Sequence, residues 1–174
     1  MSRTSTTERL LWRCSKCGRD FANKHQSHSC GLYDLGHHFQ SKPREVRALF
    51  DALVREVRRC GPIKVLPEKT RIAFQVRMSF AQVTPKRGWL DGHVVLSRRV
   101  DHSFFRRIDS ISPRNHVHHF RLVGLRDLTD DFRAFLAEAY AVGQQKHLPL
   151  NGAPPNNRLE RSGVAASARQ GKVR

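Results

Sequence analysis

The stretch that decides the fold runs from Thr70 to Ser97 and reads TRIAFQVRMSFAQVTPKRGWLDGHVVLS. Both of its ends alternate apolar and polar residues around a Pro-Lys-Arg-Gly corner, which is typical of antiparallel strands that bury one face. The buried side of the first strand is predicted to carry Ile72, Phe74, Val76 and Met78. The opposite side is predicted to carry Arg71, Gln75 and Arg77. One face of the sheet is therefore expected to be core and the other basic.

Further strand-like segments lie on both sides of this stretch, and turn sequences that contain Pro, Asn or Asp separate them. Together the predicted strands span residues 63–66, 71–78, 80–83, 88–97, 106–111 and 116–123. Because the gaps between them are short, neighbouring strands are expected to be mostly antiparallel.

Two segments with apolar residues at helical spacing flank the strands. The first has Pro43 in its first turn and Ser41 or Lys42 as its cap. The second opens at Thr129, whose hydroxyl is a suitable N-cap, and ends near Gly143. The sequence therefore predicts an α+β fold, with a mostly antiparallel sheet of five or six strands covered by an N-terminal and a C-terminal helix.

A small zinc-knuckle-like segment is predicted upstream, where residues 13–30 read RCSKCGRDFANKHQSHSC. Two-residue spacing between Cys14 and Cys17 lets one tight turn present both thiolates to a single ion. Cys30 is the natural third ligand, and the fourth is either His28 or His25. We favour His28, because a separation of two residues in extended chain places it on the same side as Cys30. A site with four protein ligands leaves no open position, so the predicted zinc is structural.

Length and composition indicate one main domain with small appendages. The expected division is a flexible N-terminus at 1–11, the zinc-knuckle-like segment at 12–32, the α+β domain at 33–147 and a disordered basic tail at 148–174. The net charge of +17 and a pI near 11.1 favour a polyanionic partner such as nucleic acid, although a solvated basic surface would give the same numbers.

Cysteine usage and the lack of long apolar runs predict a cytoplasmic protein. Three of the four cysteines lie between residues 14 and 30 with histidines among them, which is metal-site usage in a reducing compartment. The apolar run at residues 10–12 is too short for the core of a signal peptide, and no segment is long enough to cross a bilayer. We expect no membrane association, and the sequence does not indicate an oligomeric state.

Several motifs resemble a bacterial family catalogued as domain of unknown function 5655. The resemblance is carried by WRCSKCGRDFAN at 12–23, HSC at 28–30, PREVRALF at 43–50 and HVHHFRL at 116–122. It covers about residues 12–147 and implies an α+β domain in a cytosolic bacterial protein. It implies no particular activity.

Strand alternation also predicts which polar residues share the face opposite the core, provided that three of the strands are neighbours. The candidate nucleic-acid-binding residues on that face are Arg71, Arg77, Trp89, His93, His119 and Arg121. Trp89 would supply a stacking surface and the arginines would contact phosphates. A role as a protein adaptor, with the knuckle as the docking surface, is the alternative. A less favoured alternative is a hydrolase-like enzyme that uses Asp91 and His93, because these two residues also share that face.

Overall fold

The computed structural model describes residues 10–25, 28, 30, 31 and 33–148. Most of the predicted flexible N-terminus and nearly all of the predicted basic tail, which begins at residue 148, lie outside the described residues. A two-stranded hairpin comes first, formed by β1 (Trp12–Arg13) and β2 (Asp20–Phe21).

A six-stranded antiparallel sheet follows, and it confirms the predicted α+β fold. Its strands are β3 (Lys64–Pro67), β4 (Ile72–Gln75), β5 (Ser79–Pro85), β6 (Leu90–Leu96), β7 (Arg107–Ser112) and β8 (Asn115–Leu122). They are arranged in the order β3, β4, β5, β6, β8, β7. The stretch from Thr70 to Ser97 thus forms three neighbouring strands, β4, β5 and β6, with β5 in the middle.

The first strand of that stretch is shorter than predicted. It ends at Gln75, where a register shift interrupts its pairing with β5, so Val76 and Met78 lie in the following turn. Val76 is partly buried and still packs against the core as predicted. The backbone N–H groups of Arg77 and Met78 both donate to the carbonyl of Gly143, at 3.2 and 3.1 Å. Alternation alone did not reveal this turn, because the apolar and polar residues continue to alternate through it.

Two long helices, α1 (Arg44–Arg59) and α2 (Asp130–Gly143), form at the predicted places. Thr129 caps α2 as expected, with its Oγ1 accepting a hydrogen bond from the N–H of Phe132 at 3.2 Å. The cap of α1 is Pro43, not Ser41 or Lys42. Pro43 has the extended backbone angles that are typical of a cap residue. Because proline has no backbone N–H, no donor is left unpaired at this position. Within the described ranges, no helix is long and apolar enough to cross a membrane.

Both helices pack against the same face of the sheet. Phe50 of α1 stacks on Phe74 of β4 with ring centroids 6.3 Å apart, and Phe132 of α2 meets Phe120 of β8 at 5.0 Å. The predicted apolar set is buried here, including Ile72, Phe74, Leu90, Val94, Leu96, Phe120 and Leu122. Neither helix therefore covers the opposite face of β6, β8 and β7.

Candidate metal centre and a pocket on the open sheet face

The N-terminal hairpin is a tight turn that brings the first two cysteines together. The N–H of Gly18 donates to the carbonyl of Cys14, and the N–H of Cys14 donates to the carbonyl of Arg19, both at 2.9 Å. Gly18 has a φ of +68°, which L side chains rarely adopt. This turn therefore depends on glycine at the position that follows Cys17.

Four side chains converge at this turn, namely Cys14, Cys17, His28 and Cys30, and they can hold a metal ion. The Sγ atoms of Cys14 and Cys30 are 3.8 Å apart, and Nε2 of His28 lies 3.4 Å from Sγ of Cys17 and 3.3 Å from Sγ of Cys30. A tetrahedral zinc with ordinary bond lengths would separate two sulfurs by about 3.8 Å and a sulfur from a nitrogen by about 3.6 Å. The residues present therefore fit a four-coordinate ion of that size.

The choice between the two histidines falls on His28. Its ring packs on the buried Phe21 with centroids 4.1 Å apart, which holds the imidazole beside the thiols. His25 has its ring 5.3 Å from that of Trp12 and a backbone φ of +57°, and it is not a member of the cluster. Phe21 thus orients His28 toward the thiols, whereas His25 packs near Trp12.

Two of the thiols are held in a state suited to binding a cation. A hydrogen bond from the Arg19 side chain lowers the pKa of Cys17 to about 6, with Nε of Arg19 at 3.5 Å from the sulfur. A backbone N–H hydrogen bond from Cys17 lowers the pKa of Cys14, whereas burial raises the pKa of Cys30. Since metals bind the thiolate, a bound ion would favour the deprotonated form of all three cysteines, including Cys30.

Asp20 docks the hairpin onto the sheet. Its carboxylate contacts Nε of Arg13 at 2.9 Å and Nζ of Lys64 at 2.8 Å, and these two hydrogen bonds lower its pKa to about 2. Its backbone carbonyl accepts a hydrogen bond from Nε2 of the buried Gln75 at 2.8 Å. Lys64 and Gln75 are paired across β3 and β4, on the side opposite Phe74, so the hairpin lies on the face that the helices leave open.

On the same face, the pairing of β6 with β8 brings together several of the predicted binding residues. His93 is paired with His119, and Asp91 with Arg121, so the expected sharing of a face by these residues is correct. Arg71 directly precedes β4, two strands away from His93, and its charge is close enough to affect the pKa of that histidine. Arg71 also forms an ion pair with Glu68, with Nε and Oε2 2.5 Å apart.

Arg77 does not lie with them. Because β4 ends at Gln75, Arg77 is in the turn beyond it, and its Nε donates to Oε1 of Gln145 at 3.2 Å. The expectation that Arg77 shares the sheet face is therefore wrong, and the physical reason is the early end of the strand.

Trp89, Arg121 and Asp91 form a closed unit at one end of this face. The Arg121 guanidinium contacts both carboxylate oxygens of Asp91, at 2.7 and 3.3 Å, and lies 4.5 Å from the Trp89 ring centroid. One face of the indole is thus covered by a cation. The carboxylate of Asp91 is likewise occupied by Arg121, which argues against its predicted partnership with His93 in catalysis.

Next to this unit, a pocket of about 350 Å³ opens on the sheet face. The residues that line it are Gln82, Thr84, Asp91, Gly92, His93, Arg106, Arg107, His119, Phe120 and Arg121. Sequence reasoning missed Arg106 and Arg107, because both follow an irregular loop whose position beside β8 is set only by strand pairing. The sequence feature that could have indicated them is the pair of consecutive arginines at the start of the predicted strand at 106–111.

Asp109 was not predicted either, and it contacts two residues that line the pocket, His119 and Arg107. Its Oδ2 accepts from Nε2 of His119 and from Nη2 of Arg107, both at 2.8 Å. The hydrogen bond from His119, with a further contribution from Arg107, holds the pKa of Asp109 below its ordinary value. The carboxylate is therefore ionised at neutral pH and fixes both partners in place.

His93 lies across from this group. Its ring centroid is 5.4 Å from that of His119, and the planes meet at 75°. Burial lowers the pKa of His93 to about 4, and the nearby charges of His119 and Arg71 act in the same direction. His93 is thus a neutral imidazole at physiological pH, beside a histidine that is held by a carboxylate.

Comparison with known proteins places the sheet and helices in a family. Residues 36–143, more than half of the chain, match the model of a family described as Domain of unknown function (DUF5655). The chain belongs to this family. The DUF5655 match includes the sheet-face pocket but begins after the cysteine and histidine cluster, whereas the sequence motifs predict a likeness that starts near residue 12. No curated protein and no solved structure matches the chain.

Proposed function

We propose that the protein is a zinc-stabilised module that binds nucleic acid through the pocket on its open sheet face. One observation carries the proposal: Arg106 and Arg107 converge with two histidines on a pocket that both helices leave uncovered. Phosphate oxygens accept hydrogen bonds from guanidinium and imidazole groups of this kind.

Zinc is the metal that the donor set of the hairpin suits best. Three thiolates and one imidazole at tetrahedral separations match structural zinc sites, and carboxylate-preferring ions such as Mg²⁺ or Ca²⁺ do not select sulfur. The hairpin consists of two strands of two residues each. Such a segment buries little apolar area, so we assign the metal a structural role.

The charge balance of the open face favours contacts with the phosphate backbone. Arg71, Arg121 and Arg107 each have an acidic partner there, so the face is more balanced than the net charge of +17 suggests. The side chain of Arg107 is nevertheless 66% exposed, and Arg106 is also exposed. These two side chains can reach a phosphate from the rim of the pocket while Asp109 keeps Arg107 oriented.

The test is a salt titration of binding to a single-stranded oligonucleotide. We expect the double variant Arg106→Ala/Arg107→Ala to bind more weakly, and the plot of log affinity against log salt to flatten by about 0.7 for each phosphate that the variant no longer neutralises. The matched control is Arg55→Ala/Arg58→Ala, which removes the same charge from exposed positions on α1. The control is expected to keep the wild-type slope.

Equal losses in the two double variants would mean that binding follows net charge alone and would contradict a site in the pocket. Wild-type affinity and slope in the pocket variant would show that this face takes no part in binding nucleic acid. In that case the adaptor role, with a protein bound to the hairpin, becomes the better account.

A further inference from the structure

The pocket holds more than an anion-binding site needs. Arg106 and Arg107 already supply permanent cations for binding a phosphate. His93 and His119 add imidazole groups, which can accept or donate a proton in a reaction. Their rings lie 5.4 Å apart and approximately perpendicular, and both line the same pocket.

The two histidines have contrasting surroundings, which suits them to opposite roles. His93 is partly buried and neutral, so one of its ring nitrogens is unprotonated. Nε2 of His119 lies 2.8 Å from Oδ2 of Asp109 and 3.1 Å from Nη2 of Arg107, so its ring is held by a carboxylate that accepts its N–H. Pairs of titratable groups in contrasting environments are the usual arrangement of a general base and a general acid.

From this arrangement we propose that the pocket cleaves RNA, with His93 as the general base and His119 as the general acid, an inference that rests on the proposed binding of nucleic acid. Asp109 acts as a positioning residue, since it touches His119 and Arg107 and does not reach the reacting atoms itself. Arg106 and Arg107 would hold the phosphate and offset the charge that develops on it.

RNA is the substrate class that this residue set fits, because RNA carries its own nucleophile. His93 removes the proton of the ribose 2′-hydroxyl, and the 2′-oxygen forms a bond to phosphorus. The bond from phosphorus to the 5′-oxygen breaks, and that oxygen takes a proton from His119. The products are a 2′,3′-cyclic phosphate end and a 5′-hydroxyl end, with no redox change. DNA has no 2′-hydroxyl and is therefore expected to be bound but not cleaved.

The first experiment needs no variant. The full-length protein is incubated with an end-labelled RNA oligonucleotide and with the same oligonucleotide 2′-deoxy-substituted throughout. We expect fragments that end in 2′,3′-cyclic phosphate from the RNA and none from the deoxy strand. Cleavage of both strands, or of the RNA to other ends, would overturn the proposed chemistry.

The second experiment assigns the activity to the pocket. We expect His93→Ala and His119→Ala each to slow cleavage by at least 100-fold, the lower end of the usual contribution of acid-base catalysis. His116→Ala, on the same strand as His119 but outside the pocket lining, is the control and is expected to keep the wild-type rate. A contaminating nuclease would persist equally in all preparations and would contradict the assignment.

A third variant tests the positioning role of Asp109. We expect Asp109→Asn to lower the single-turnover rate of RNA cleavage by a larger factor than it weakens binding of the deoxy strand, because it removes the partner of His119 as well as that of Arg107. Equal factors of loss in rate and in binding would mean that Asp109 acts only through Arg107 or the fold of the pocket. If the wild type binds RNA but does not cleave it, the catalytic proposal fails and the binding function stands. If the protein binds neither RNA nor the deoxy strand, the binding function fails as well.

Discussion

Replacing Cys14 by serine is expected to abolish tight binding of one zinc ion per chain and to unfold the hairpin formed by β1 and β2. Cys14 is the most buried ligand, 5% exposed, and its backbone also closes the Gly18 turn. In small zinc-dependent segments the free energy of metal binding largely supplies that of folding, at about 10 to 16 kcal/mol for peptides near neutral pH. Elemental analysis gives the metal content, and hydrogen exchange reports the unfolding of the hairpin.

The sheet domain is expected to keep its cooperative unfolding transition in that variant, because its core lies between the sheet and the helices and contains neither Cys14 nor Phe21. Cys60→Ser is the matched control, since Cys60 is a free cysteine at the end of α1 and lies outside the cluster. Full metal content in Cys14→Ser would contradict the site. If His28→Ala retains the full metal content, the fourth ligand would instead be His25.

Truncation of Phe132 to alanine is expected to lower the free energy of unfolding by about 3 to 5 kcal/mol. Its side chain is fully buried, with its ring centroid 4.8 Å from that of Phe104 and 5.0 Å from that of Phe120. Phe120 belongs to the strand that carries His119, so the cavity would lie directly beneath the pocket. Denaturant unfolding followed by circular dichroism measures the change.

Ile111→Ala is the control for that experiment, because Ile111 is a large apolar residue that is 70% exposed on the edge strand β7. It is expected to change stability by less than about 0.5 kcal/mol. A small loss in Phe132→Ala, equal to that of the control, would mean that α2 does not pack on the sheet as described.

Local patterns in the sequence were enough to predict the metal cluster and most of the fold. The spacing of Cys14 and Cys17 fixes a turn, and the alternation in β6 and β8 determines which side of each strand His93 and His119 take. The cysteine spacing and the strand alternation are both properties of short segments. In each segment the tertiary contacts favour the same conformation as the local sequence does.

Features that depend on strand order or on side-chain pairing were not predictable in the same way. Asp109 and Arg107 reach the pocket only because β7 pairs with β8 at the edge of the sheet. The engagement of Asp91 and Trp89 by Arg121 depends on which side chain lies nearest across two strands, and alternation does not specify that. Arg77 was misplaced because a turn held by the C-terminus of α2 interrupts an otherwise regular pattern.

Binding of nucleic acid to the open sheet face can be tested by an NMR titration. Isotope-labelled protein is titrated with a 2′-O-methyl RNA oligonucleotide, which binds as RNA does but lacks the hydroxyl needed for cleavage. We expect the largest chemical-shift changes in the pocket, at Gln82, His93, Arg107 and His119, and no changes in residues of α1. Changes confined to the helices or to the hairpin of β1 and β2, with an unperturbed pocket, would contradict binding at this face.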